Sequence, residues 1–207
     1  IELDISNPQK ILRVNPNPVV ELDGDGREEV LVNLYNGAGD ARWHLTAHDG
    51  LSGAPKFDLP DQILQGVADL DGDGVVELLT IEAHNSGIPA YGRIAVWGLV
   101  NGEPTVLWEA QQAAWQTWEP PLPAHVNSTA TLGTRDVLWR RGQGRGLVVV
   151  RRPVADDAET VELSLLSYTA EGFASVTQVR GRYAEAVALD DMGSMLVRCT
   201  TGPQQTT

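Results

Sequence analysis

Val67-Ala68-Asp69-Leu70-Asp71-Gly72-Asp73-Gly74-Val75-Val76-Glu77 is the stretch from which the fold can be read. Acidic side chains stand at the first, third, fifth and ninth places of the nine-residue loop 69–77, with glycines at the fourth and sixth. An apolar run, Leu78-Leu79-Thr80-Ile81, follows directly. A second copy lies upstream as Glu21-Leu22-Asp23-Gly24-Asp25-Gly26-Arg27-Glu28-Glu29, followed by Val30-Leu31-Val32. The step from Asp23 to Asp71 is 48 residues. Each step holds four short runs of apolar and β-branched residues separated by Gly, Pro, Asn and Asp, the signature of strands and turns.

A period of that size built from four short strands predicts an all-β chain organised as a β-propeller of about four blades, each a four-stranded antiparallel sheet. The expected blades are approximately 18–60, 61–112 and 124–180, with 183–200 and 1–14 as parts of incomplete blades of one domain, 1–207. The two ends either complete one blade between them and close a four-bladed ring, or the chain is an arc of a larger propeller. Closure would remove the exposed edges that invite aggregation. The chain begins with Ile1 rather than Met, which fits a processed product or a piece of something longer. Two further copies are eroded. The stretch from Val126 to Trp139 and that from Ala186 to Val197 keep the strand–turn–strand rhythm without the acidic spacing.

The loop chemistry points to calcium. Ca²⁺ is a hard ion that takes six to eight oxygens. Carboxylates on alternate residues of a tight loop can converge on such an ion, and glycines between them allow the positive backbone angles the wrap requires. The ninth-place acid closes the cage from the start of the next strand. The loops differ from the twelve-residue helix–loop–helix calcium motif. Zinc is disfavoured because neither loop contains His or Cys. A plain acidic turn would have to hold three mutually repelling carboxylates together without a cation.

The stretches VADLDGDGVVELL and VVELDGDGREEVL resemble the FG-GAP/VCBS repeats of integrin-alpha-like β-propellers. The resemblance implies ligands at Asp69, Asp71, Asp73, the Val75 carbonyl and Glu77, and in the first copy at Glu21, Asp23, Asp25, the Arg27 carbonyl and Glu29. That amounts to two Ca²⁺ sites. This chain departs from the family pattern in the glutamate at the first place of copy one and in the glutamates at both ninth places. The clear match covers the first half of the chain. In that family calcium stiffens a hairpin at the propeller rim, and the repeats serve adhesion and scaffolding in secreted and surface proteins.

The bulk composition agrees with a cation-binding, non-catalytic role. Of 207 residues, 15 are Lys or Arg and 28 are Asp or Glu, a formal charge of -13. This argues against nucleic acid as a partner, and no apolar run is long enough for membrane insertion. The expectation is an extracytoplasmic scaffold, secreted, periplasmic or at the cell surface, for a protein or glycan partner, other chains or the rest of a longer polypeptide. The alternatives are a propeller part of a carbohydrate-active enzyme and a structural subunit of a larger complex. Trp115 and Trp118 are the candidate partner-binding residues, since they lie in a loop-like stretch before Pro120-Pro121, and exposed tryptophan anchors partners and sugar rings. No nucleophile elbow or acid–base pair is readable. His44 and His48 read as polar strand residues, and Cys199, the sole cysteine, as a buried small hydrophobe.

Overall fold

The structure, a computed structural model, describes residues 11–15, 18–117, 132–133, 137, 139–142, 145–154, 157–189 and 194–199. Its regular elements are all strands. Among the described residues no helix is long and apolar enough to cross a membrane.

The strands fall into antiparallel meanders that follow the sequence period. The first contains β1 (Ile11–Asn15), β2 (Val19–Val20), β3 (Glu29–Asn36), β4 (Trp43–Asp49) and β5 (Pro55–Pro60). β1 and β2 both pair with β3, so the two act as one interrupted first strand. Pro18, just before β2, has no N–H to give the ladder. The second meander is β6 (Gln62–Ala68), β7 (Glu77–Glu82), β8 (Gly92–Val100) and β9 (Glu103–Trp115). A short β10 (Leu132–Gly133) lies parallel to β1. The third meander is β11 (Trp139–Gly142), β12 (Arg145–Val154), β13 (Asp157–Thr169) and β14 (Gly172–Arg182). A last hairpin joins β15 (Glu185–Leu189) and β16 (Met195–Arg198).

Three features of the assembly differ from the expected arrangement of blades. First, β9 runs on to Trp115 and its end pairs with β12, through Val150 opposite Trp115 and Arg151 opposite Ala114. The second and third meanders are therefore one eight-stranded sheet. Second, residues 11–14, expected to share a split blade with 183–200, extend the first meander through β3 instead. The apolar Ile11-Leu12 finds its backbone partners at Tyr35 and Asn36, close in sequence, and a short loop closes at lower entropic cost than a link to the far end of the chain. Third, β15 and β16 form a two-stranded sheet of their own. Among the described residues the strands close into no ring or barrel.

The meanders pack through three apolar clusters. Central strand β7 is buried along nearly its whole length, as a strand covered on both faces must be, and β3 alternates buried and half-buried residues over its first half. The largest cluster joins Trp43 of the first meander to Ile63, Leu79, Ile94 and Val96 of the second and Val148 of the third. Polar groups are used where meanders meet. The Asn33 side-chain amide donates to the His44 carbonyl at 2.8 Å and the Gln62 carbonyl at 3.0 Å. Its Oδ1 accepts the Leu64 N–H at 2.7 Å. Asn33 thus ties β3 and β4 to β6 inside the core, where an unpaired amide would be costly.

Asn33→Ala strands these backbone groups in an apolar interior. The expected loss is about 2–4 kcal/mol of unfolding free energy, read from the shift of a urea midpoint. An exposed control, Leu51→Ala at 89% exposure, leaves the midpoint within about 0.5 kcal/mol.

Candidate metal loops

The two acidic loops share four hydrogen bonds at matching places, and the first adds one from Asp23 N–H to Glu21 Oε1 at 3.3 Å. Flanking pairs fall in the same register, with Val19 opposite Val30 and Val20 opposite Glu29 in the first, and Val67 opposite Leu78 and Ala68 opposite Glu77 in the second. The fourth-place N–H donates to the first-place carboxylate, Gly24 to Glu21 at 2.6 Å and Gly72 to Asp69 at 2.8 Å. The fifth donates to the third, Asp25 to Asp23 at 3.3 Å and Asp73 to Asp71 at 3.1 Å. The seventh donates to the fifth, Arg27 to Asp25 and Val75 to Asp73, both at 2.8 Å. The last two pairs are turns in which an Asp oxygen takes a main-chain N–H two residues on. The glycines carry the positive φ this path needs: +75° and +78° at Gly24 and Gly26, +86° and +96° at Gly72 and Gly74.

The second-place leucine and the ninth-place glutamate lock each loop to the core. Leu22 and Leu70 are buried. Their N–H groups donate to Glu29 Oε2 at 2.9 Å and Glu77 Oε2 at 2.6 Å. Glu29 is 0% and Glu77 5% exposed, unusual burial for carboxylates. The loops also touch the next meander. Val76 N–H donates to the Glu21 carbonyl at 3.4 Å, and Gly146 N–H to the Leu70 carbonyl at 2.9 Å. A Cβ on Gly146 would stand 2.6 Å from the Asp69 carbonyl oxygen and 2.7 Å from Leu70 Cα, so only glycine allows this approach.

Carboxylate oxygens of Asp69, Asp71 and Asp73 lie within 4.8 Å of one another in the second loop, as do those of Glu21, Asp23 and Glu29 in the first. The donor set is hard oxygen in both, which fits a calcium-like ion. The expected ligands Asp25 and Glu77 stand outside these two triplets. Asp25 is exposed, while Glu77 is turned to the Leu70 N–H. Val75 and Arg27 occupy the seventh places without side-chain roles in the triplets.

The electrostatics of the two loops diverge. In the second, burial first, then repulsion from Asp71, Asp73 and Asp69, pushes the Glu77 carboxyl up to about 7, although the Leu70 N–H works against the rise. Asp71 is raised too, again chiefly by burial. In the first loop Lys56 changes the balance. Its Nζ donates to Asp23 Oδ2 at 2.7 Å and to Glu29 Oε1. Asp23 is held below the usual carboxylate range, chiefly by that Lys56 hydrogen bond. Burial opposes the charge on Lys56, yet its hydrogen bonds to Asp23 and Glu29 prevail and raise its pKa.

Other expected site residues lie elsewhere. Trp115 is not a loop residue but the end of β9, 5% exposed. Its Nε1 donates to the Thr80 carbonyl at 2.9 Å and its ring lies 5.9 Å from Trp108, so it packs the core and offers no partner surface. Trp118 lies outside the described residues. Cys199 is exposed, not buried. The position that a side chain on Gly181 would take, 2.6 Å from Sγ, shows how closely the thiol lies over that glycine. His44 is a polar strand residue, as expected, on β4. The ring is buried, with Nε2 at 2.9 Å from Asp40 and Nδ1 at 2.9 Å from Asp58. Asp40 and His44 are four residues apart, but Asp58 comes from the neighbouring strand and only pairing reveals it. Compared with protein-family models and with curated proteins, the chain matches none.

Glu77 gives a pH signature in chelator. Its folded-state pKa is raised from 4.5 to about 7, so between these values the folded chain holds a proton the unfolded chain has released. Stability therefore falls as pH rises through that window, by up to roughly 3 kcal/mol. Glu77→Gln should flatten this slope in urea unfolding followed from pH 4.5 to 7.5.

Proposed function

We propose that the chain is a calcium-stabilised β-propeller, or an arc of one, acting as a non-catalytic extracytoplasmic scaffold of the FG-GAP/VCBS type that presents a surface to a protein or glycan partner. The observation that supports it most is the repetition of one loop, with the same hydrogen bonds, glycine angles and strand register, at an interval of 48 residues. A repeat of four-stranded meanders braced in this way is how propellers are built. The cofactor is calcium, held by the acidic loops. It would offset the carboxylate repulsion and the burial of Glu77, fixing the turn between the first two strands of a meander. In the family pattern the seventh-place backbone carbonyl, here that of Arg27 or Val75, would complete a donor set wherever a loop holds the ion. Function then resides on surfaces that the braced meanders hold in place.

The enzyme alternative rests on a cavity of about 350 Å³ lined by Glu82, His84, Tyr91, Arg93 and Gln111 among others. Glycoside hydrolysis generally needs two carboxyl groups across the scissile bond. Glu82 is the one acid in this lining, and it lies 3.9 Å from both His84 and Arg93. This cavity therefore does not carry the enzyme reading.

Calcium at millimolar concentration should raise the thermal midpoint over that in chelator by several degrees, and Asp71→Ala should remove the ion from the second loop in calorimetric titration. Identical melting with and without calcium, together with no heat of binding, would count against the calcium brace.

A further inference from the structure

The two loops are not equivalent, and the difference comes from a strand outside them. In the first meander, Ala47 lies opposite Phe57 and His48 opposite Pro55, which leaves Lys56 unpaired at a β-bulge. In the second, Val96 lies opposite Trp108 and Trp97 opposite Val106, which leaves Leu107 unpaired at a bulge in the same place. The correspondence is fixed by the inner strands, because Ala47 pairs with Leu31 and Val96 with Leu79, themselves 48 residues apart. A bulge re-aims the side chain it carries. In the first meander it sends the Lys56 ammonium between Asp23 and Glu29, two of the three carboxylates of the triplet. The Lys56 side chain is 22% exposed there, and Glu29 is wholly buried. The second meander carries an exposed leucine instead. Lys56 is one of only two lysines in the chain, the other being Lys10.

We propose that Lys56 is a tethered cation that takes the ion's place in the first loop, so that the chain takes up one calcium ion, at the second loop, and not two. The proposal rests on the calcium reading of the second loop. An ammonium held by the fold is present at any calcium concentration, so the first hairpin is braced with or without calcium. A divalent ion entering the first loop would have to displace a charge already hydrogen-bonded to two of its carboxylates.

Calcium stoichiometry of the full chain, by equilibrium dialysis and calorimetric titration, tests this. The wild type should bind one ion, Asp71→Ala none, Lys56→Leu two, and the double variant one. Two ions on the wild type, one of them lost on Asp23→Ala, would overturn the proposal while leaving the calcium reading intact, and so would a Lys56→Leu protein that still binds one. If no protein of the series binds calcium, the calcium reading fails and Lys56 is judged alone by melting in chelator. There Lys56→Leu should lower the midpoint and Glu29→Gln should restore most of the loss, whereas an unchanged midpoint removes the tethered cation as well. Amine labelling of the wild type needs no variant. With or without calcium, Lys56 should react at least tenfold more slowly in the folded chain than in the urea-unfolded chain, and calcium-induced exposure of Lys56 would show the ion displacing it.

Discussion

A buried glutamate at the start of a central strand is the constraint on which each acidic loop depends. Glu29 and Glu77 open β3 and β7, lie almost fully out of water, and accept the N–H of the leucine seven residues before them. That bond fixes the depth to which Leu22 or Leu70 inserts in the core, and with it the path of the whole loop. A charge in such a place is unfavourable unless it is hydrogen-bonded and paired. Everything around the loops answers that demand in one of two ways. The first meander supplies an ammonium from β5. The second leaves a carboxyl pushed up to about 7 beside three aspartates, a donor set suited to a hard cation.

The same constraint couples neighbouring meanders. The first loop's Glu21 carbonyl meets Val76 at the rim of the second loop, and the second loop's Leu70 carbonyl meets Gly146 of β12. A change in the second loop is therefore felt on both sides, by the meander before it and the meander after it. Beneath the loops Asn33 and Thr80 play matching roles with polar groups. Thr80 accepts from Trp97 at its hydroxyl and from Trp115 at its carbonyl, while Asn33 spans three strands. The packing between meanders is thus specified by a few buried hydrogen bonds as well as by apolar volume.

The repeat, the turn glycines and the strand order within each meander were legible in the sequence because they rest on local chemistry. Alternate carboxylates bond the N–H two residues on, glycine supplies positive φ, and the 48-residue interval shows in two copies of one motif. Trp115 misled for a related reason. The stretch Gln111-Gln112-Ala113-Ala114 carries little strand propensity, so the reach of β9 to Trp115 is set by pairing with β12, which is tertiary. The joining of the second and third meanders into one sheet was hidden for the same reason.

What the sequence alone determined is an all-β chain with two acidic loops of one design, since a loop's hydrogen bonds connect residues two to seven apart. What only the tertiary structure decided is that the first loop meets a lysine ammonium. Lys56 lies 33 residues from Asp23 and 27 from Glu29, at a bulge with no local sequence mark. Its leucine counterpart at 107 is identified by strand register and not by a motif. The charge that neutralises a buried carboxylate is chosen by which strand folds over it, and that is settled when the strands pair.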